Sequence, residues 1–261
     1  MTEQIKTHPK SFEVSKWFGP QTAQVMLPDD AIDALVKMTD EILDNKKSQS
    51  HGQSLAGVID KELKIYKSDM DKCGFDQLFE SCVKSYVIHC AKMHGMFKEE
   101  YVFETRVNSA WVVSQYENEY NPLHNHTGCE MSGVIYLKAP DMKGRRNIES
   151  KKGKNDSDGD ISFVYNTASQ RNQDIFEKGL VQITPVPGLM LMFPSYLVHT
   201  VYPFIGEGER RCIAFNAYYR IIEPTGGGEK REDGKVSGNI VAGNTQGVNN
   251  NYFYYGEKPN E

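Results

Sequence analysis

The sequence predicts a mainly β protein that carries an α-helical layer from its N-terminal part. Apolar residues at helical spacing are concentrated in the first hundred residues. Beyond about residue 102, short segments rich in Val, Ile, Phe and Tyr alternate with period two between prolines and glycines. Helices first and strands afterwards are typical of helices packed on an antiparallel β core, and not of alternating βαβ units.

The elements follow from local patterns along the chain. Pro28-Asp29-Asp30 indicates a helix start, because acidic side chains favour the positive end of the helix dipole, and apolar residues at helical spacing follow it. A second apolar stripe predicts a helix within 75–97, and the polar, Gly-containing segment 47–60 predicts a loop. Six strands are expected, at 102–117, 132–138, 160–166, 180–186, 189–193 and 209–221.

We expect three regions: a helical segment at 1–100, a β core at 101–223 and a Gly/Asn-rich tail at 224–261. The charged segment 141–159 between two strands is either a solvated loop or a lid or substrate-binding arm. The tail ends in four adjacent aromatic residues, 252–255, which indicates docking on its own domain or on a second subunit, as in a homodimer.

Composition excludes several functional classes. Lys and Arg number 30 against 35 Asp and Glu, a net charge of −5, which argues against general binding of nucleic acid, although 143–154 forms a local basic patch. No apolar run approaches the roughly 20 residues that cross a bilayer, and the polar start does not resemble a signal peptide. Five cysteines without a Cys-x-x-Cys pair favour a reducing, cytoplasmic setting.

Three histidines form the strongest chemical pattern. His124 and His126 precede a predicted strand, and residues two apart in an extended segment face the same side. His199 follows a predicted buried strand and turn. Imidazole binds iron, copper, nickel and zinc, and three protein ligands leave coordination positions open, so we predict a catalytic metal site. The other four histidines are interpreted as ordinary polar residues: His8, His51, His89 and His94.

An arginine strand follows the third histidine. By alternation Arg210 shares a face with the small residues Cys212 and Ala214, and would point into a cavity. A buried guanidinium needs an anion, and its planar fork matches a carboxylate. The alternative is that Arg210 and Arg211 are a surface pair at a strand end, and spacing alone does not decide between the two.

Three blocks in order, at 121–137, 187–204 and 209–216, resemble the 2-oxoglutarate/iron(II)-dependent oxygenases of bacteria and tailed phages. The blocks are NPLHNHTGCEMSGVIYL, PGLMLMFPSYLVHTVYPF and ERRCIAFN. The resemblance runs from about Trp111 to Tyr219. It implies a double-stranded β-helix, or jelly roll, that uses iron(II), 2-oxoglutarate as co-substrate and dioxygen to oxidise a substrate, most simply by hydroxylation.

The resemblance also implies roles for individual residues. His124 and His199 correspond to the first and last metal ligands, and Arg210 to the arginine that holds the distal carboxylate of 2-oxoglutarate. Tyr136 resembles a tyrosine that shares this carboxylate. Tyr116 either contacts the co-substrate as well or packs in the core.

The middle ligand position is a departure from the wider superfamily, which carries Asp or Glu there. His126 at this position is either a third, neutral ligand, with the loss of one negative charge, or no ligand at all. In the second case Glu130 or a water molecule completes the metal's coordination.

Two other functional classes stay open at this point. His124, His126 and Glu130 also resemble the first cupin motif, which would need no 2-oxoglutarate. Against a cupin, Gly133 follows Glu130 too closely, and the arginine strand has no role. The third class is a non-catalytic binding protein on the same fold, which metal binding with 2-oxoglutarate would exclude.

Overall fold

The computed structural model describes residues 19–52, 55–140, 157–165, 179–224 and 238–242. The predicted segment 141–159 lies outside these ranges except for its last three residues, and the aromatic tail 252–255 lies wholly outside. The described elements are β1 (Ala23–Met26), α1 (Asp29–Asp44), β2 (Lys61–Ile65), α2 (Lys67–Cys73), α3 (Asp76–Met93), β3 (Val102–Gln115), β4 (Asn121–His124), β5 (Met131–Lys138), β6 (Ile161–Val164), β7 (Leu180–Ile183), β8 (Leu189–Pro194), β9 (Val198–Val201), β10 (Arg210–Pro224) and β11 (Gly238–Ala242).

The described strands form two antiparallel sheets. The larger has the order β1-β8-β5-β10-β3-β2, with β11 also paired to β10, and the smaller has the order β4-β9-β6-β7. All the pairings between neighbouring described strands are antiparallel. Two facing antiparallel sheets are the architecture of a jelly roll, so the predicted mainly β fold is confirmed.

The helices cover the outer face of the larger sheet. Buried residues of α1 and α3 share one apolar core with the sheet residues that point outwards. Phe79 of α3 meets Phe215 of β10 edge to face, with 4.7 Å between the ring centroids. The helical layer predicted from apolar spacing therefore forms, and it supports the strand that carries the two arginines.

A second apolar core fills the space between the two sheets. Trp111, Tyr136 and Cys212 enter it from the larger sheet, and Phe163 and Val201 from the smaller. Alternation along β10 divides its side chains between the two cores, since Cys212 belongs to this inner core and its neighbour Ile213 to the outer one. The functional residues described below line the inner space.

The first hundred residues also contribute β1 and β2, two strands that the apolar pattern did not predict. β1 has four residues, and β2 is a five-residue edge strand with two lysines, Lys61 and Lys64. Short and charged strands are common at sheet edges, where they carry little periodic signal. Among the described residues, no helix combines the length and apolar character that a membrane crossing requires.

Candidate metal centre

Strand pairing brings the three predicted histidines together. His124 of β4 and His199 of β9 are direct cross-strand partners in the smaller sheet. His126 lies two residues beyond His124, where its backbone N–H donates to the carbonyl of Ser195 over 3.0 Å. The ligand atoms of the three imidazoles all lie within 4.8 Å of one another. Strand pairing thus brings histidines that are distant in the sequence into one cluster.

Backbone carbonyls orient two of the three rings. Nδ1 of His124 donates to the carbonyl of Pro122 over 2.6 Å, and Nδ1 of His199 donates to that of Leu197 over 2.9 Å. A carbonyl oxygen only accepts, so these bonds place the proton on Nδ1 and leave the lone pair on Nε2.

The remaining geometry fits a shared ion. Nε2 of His126 lies 3.3 Å from Nε2 of His199. Two imidazole nitrogens that each lie about 2.1 Å from one ion are about 3 Å apart, so the observed separation suits two ligands of one metal.

Burial keeps two of the three imidazoles, those of His126 and His199, in the neutral form that binds a metal. Burial lowers the pKa of His199 to about 3 and that of His126 to about 4, and the neighbouring His124 adds to both effects. These two imidazoles are therefore neutral at neutral pH, as a metal ligand must be.

Arg210 lies in the same cavity, which has a volume of about 410 Å³ and also includes the three histidines in its wall. Its side chain is 2% exposed. It donates to the carbonyl of Gly159 (3.1 Å), to Oε1 of Gln115 (3.1 Å) and to the hydroxyl of Tyr136 (3.4 Å). Within the described part of the chain, no carboxylate lies at ion-pair distance from it. The cavity therefore contains a buried positive charge whose protein partners are neutral.

Residues 109–216 match the family described as "Putative 2OG-Fe(II) oxygenase". Over this segment the chain matches the 2OG-Fe(II) oxygenases, and it acts as a 2-oxoglutarate/iron(II)-dependent oxygenase. The matched span contains the histidine cluster, Arg210 and Tyr136. The cofactor of the oxygenase is therefore iron(II), its co-substrate is 2-oxoglutarate, and it acts on a substrate with dioxygen. The predicted function is confirmed over the cupin and the non-catalytic alternatives.

Several solved structures are similar to the chain, and the first of these supports the fold of the oxygenase. A prolyl hydroxylase from Trichoplax adhaerens, in complex with a hypoxia inducible factor peptide fragment, is 15% identical, with 75% of this chain and 82% of that chain covered and a TM-score of 0.50. A Pseudomonas putida prolyl-4-hydroxylase is 14% identical (75% and 91% covered, TM-score 0.45). A viral collagen prolyl hydroxylase from Paramecium Bursaria Chlorella virus-1 is also 14% identical (75% and 94% covered, TM-score 0.39). No curated protein sequence matches the chain.

Three residues considered from the sequence do not line the cavity of the oxygenase: Tyr116, Glu130 and Tyr136, of which Tyr136 contacts the cavity residue Arg210. Tyr116 follows the end of β3 with its side chain 44% exposed, so the structure gives it neither a core position nor a place in the cavity wall. Glu130 lines a different cavity, beside Tyr86 and Tyr219, and is absent from the histidine cluster. The interpretation in which Glu130 replaces His126 at the metal therefore has no support in the geometry.

Other cavity residues were missed by sequence reasoning. His51 was interpreted as an ordinary polar residue, yet its ring lies 4.6 Å from that of Trp111 in the cavity wall. Glu62 lies in the same wall and is 3% exposed. Neither residue belongs to a recognisable motif, because both reach the cavity through the edge strand β2 and the loop before it. Only the pairing of β2 with β3 reveals them.

Proposed function

We propose that the chain is a hydroxylase in which His124, His126 and His199 hold iron(II), while Arg210 and Tyr136 hold the distal carboxylate of 2-oxoglutarate. One observation carries this assignment. Three imidazoles converge on one point of a cavity whose wall also contains a buried guanidinium, and no described carboxylate pairs with that guanidinium. A metal cation and a dicarboxylate satisfy these two requirements together.

The residues of the protein contribute to the reaction by positioning the metal and the co-substrate. Bound iron(II), with 2-oxoglutarate and dioxygen, supplies the oxidant that converts a substrate C–H bond into an alcohol. The carbonyls of Pro122 and Leu197 fix the rings of His124 and His199, so little reorganisation is needed when the metal binds. His126 stands where most oxygenases carry a carboxylate, so the protein ligand set is neutral instead of singly negative.

Arg210 and Tyr136 suit a carboxylate for electrostatic and geometric reasons. The guanidinium offers several donors in one plane, and the hydroxyl of Tyr136 lies beside them. Burial raises the pKa of Tyr136 above its ordinary value, which keeps the phenol protonated and able to donate. A cation in the low-dielectric inner core attracts a dicarboxylate more strongly than a surface arginine would.

We also propose a reducing compartment, the cytoplasm, for this oxygenase. All five of its cysteines lie in described residues, and all five are free thiols. Free thiols persist where the surroundings are reducing.

Anaerobic iron binding tests the ligand assignment. We expect the purified wild-type protein to bind one equivalent of iron(II) and, in air with ascorbate as the two-electron reductant in place of a substrate, to form succinate from 2-oxoglutarate. The variant His199→Ala should lose both properties because a central ligand is removed, while circular dichroism should show the same fold. His124→Ala, at a less buried position, should behave in the same way.

A matched control is His89→Ala, which removes an exposed histidine of α3 far from the cavity. This variant should keep full iron binding and succinate formation. Full iron occupancy in both His199→Ala and His124→Ala would contradict the assignment.

A further inference from the structure

Glu62 is a buried carboxylate that the proposed function does not use. It lies on β2, lines the cavity, and is 3% exposed. Its Oε1 atom is buried and has no hydrogen-bond partner among the residues that the structure describes. Burying an unpaired carboxylate is costly, so this residue lowers the stability of the empty protein unless something compensates for it. It is not part of the histidine cluster, and the iron therefore does not provide that compensation directly.

The register places Glu62 on the same sheet as Tyr136, at the edge-strand end of one row. Glu62 pairs with Val113, Val113 with Cys212, and Cys212 with Tyr136, which makes one row across four adjacent strands. Neighbouring strands are about 4.8 Å apart, so the backbones of Glu62 and Tyr136 are separated by roughly 14 Å. With 2-oxoglutarate held at the Arg210 and Tyr136 end, the Glu62 end is left for the substrate.

The chemistry around Glu62 favours a cation. Burial raises the pKa of Glu62 to about 7, and the nearby Glu119 adds to the increase. His51 does not provide a positive charge, since burial lowers its pKa. The indole of Trp111 offers an aromatic surface in the same wall, which attracts cations.

We propose that Glu62 binds a protonated amine of the substrate, so that the hydroxylated compound is an alkylammonium. This proposal rests on the proposed function, because it assigns the substrate end of the same cavity. An ammonium donates up to three hydrogen bonds and neutralises the buried carboxylate. The cavity volume of about 410 Å³ must hold 2-oxoglutarate as well. It therefore admits the aminoalkyl part of a substrate, whether a free amine or a lysine side chain.

Calorimetric titration tests this proposal. The full-length protein is loaded with Mn(II), which replaces iron without supporting turnover, and with 2-oxoglutarate. It is then titrated with n-butylamine, with the uncharged 1-butanol, and with N-acetyl-lysine methylamide. We expect the amine to bind and the alcohol not to bind. Tighter binding of the lysine derivative than of butylamine would identify a lysine side chain as the source of the ammonium, and the reverse order a free amine.

The variant Glu62→Gln keeps the size of the side chain and removes its charge. We expect it to bind the amines about 10- to 100-fold more weakly, because a hydrogen bond between charged groups is lost. Its affinity for 2-oxoglutarate should be unchanged, which also shows that it is folded. Glu104→Gln on β3, at an exposed position, is the matched control and should bind the amines like the wild type.

Two results overturn the proposal and one overturns its basis. Equal amine binding by the wild type and Glu62→Gln would overturn it, as would a wild type that binds 2-oxoglutarate but neither amine. Absence of 2-oxoglutarate binding in the Mn(II)-loaded wild type would instead overturn the proposed function, and this proposal with it.

Discussion

Arg210 and Arg211 are adjacent in the chain and have opposite surroundings. Arg210 lies in the cavity, where its partners are the neutral groups of Gly159, Gln115 and Tyr136. Arg211 lies on the helix side of the sheet and forms ion pairs with Glu209 (2.7 Å) and with Asp40 of α1 (2.5 Å). The charge of Arg211 is already compensated, whereas that of Arg210 is available to a ligand.

The two arginines should therefore differ in their effect on co-substrate binding. We expect Arg210→Met to weaken 2-oxoglutarate binding by roughly 2–5 kcal/mol, because a charge-assisted pair with a carboxylate is lost and methionine still fills the space. Arg211→Met should leave the affinity almost unchanged. Calorimetry on Mn(II)-loaded protein measures both, and equal losses would mean that the co-substrate is held elsewhere.

Glu62 should make stability depend on pH. Its folded-state pKa is about 7, above the ordinary value of 4.5. Below pH 4.5 the carboxyl is protonated in the folded and unfolded states alike, so its burial does not lower the free energy of unfolding. Between pH 4.5 and 7 only the unfolded state ionises readily, so stability falls as pH rises through this window and stays lower above it. Above pH 7 the ionised Glu62 lowers the free energy of unfolding by about 3 kcal/mol.

Glu62→Gln should therefore be more stable than the wild type at pH 8, by up to about 3 kcal/mol, and similar to it at pH 4. Urea unfolding of the ligand-free protein at the two pH values measures this difference. The same stability difference at both pH values would show that the charge of Glu62 is not the cause.

At the scale of elements, β5 has no room for a side chain at Gly133. A Cβ atom there would lie 2.3 Å from Cζ of Phe215 and 2.5 Å from the carbonyl oxygen of Leu191. Phe215 is fully buried against the helices, and the Leu191 oxygen belongs to the backbone of the neighbouring strand β8. Neither can move without disturbing the sheet.

Gly133→Ala should therefore destabilise the protein by about 1–3 kcal/mol through overpacking. Urea unfolding measures the effect, and Gly95→Ala serves as a comparison in which the added Cβ meets no atom within 4 Å, although the φ of +67° adds some backbone strain. A smaller loss in Gly133→Ala than in Gly95→Ala would show that β5 and β8 separate easily.

Sequence patterns predicted the long elements and missed several short ones, although the four-residue strands β6 and β7 lie within predicted segments. β3, β10 and α3 bury many residues each, so their periodicity is visible in the sequence. The strands β4 and β9 have four residues each, too few for alternation to stand out. Their pairing depends on contacts between distant parts of the chain, which a local pattern does not contain.

The same reasoning explains which site residues were found. His124, His126 and His199 carry a side chain that suggests a metal, and Arg210 was assigned a face by alternation within β10. Glu62 could not be found in this way, because glutamate is usually exposed and β2 is short and charged. Its burial results from the neighbouring strand β3 and from the loop before β2.

At the scale of the whole molecule, the proposed site is shared between the two sheets. The histidine cluster belongs to β4, the residues after it, and β9 in the smaller sheet. Arg210 and Tyr136 belong to β10 and β5 in the larger sheet. A metal with bound 2-oxoglutarate would therefore join the sheets, and the apolar core between them keeps their separation constant.

The alternation along β10 also restricts how the length of this gene product can vary during evolution. One residue inserted within the strand would turn the side chains on one side of the insertion to the opposite face, so that Arg210 would leave Tyr136 and Arg211 would leave Asp40 of α1. The loop segment 205–208 is free of that restriction because it is exposed and belongs to no strand. Insertions and deletions between His199 and Arg210 should therefore accumulate in that loop, while the strand keeps its length.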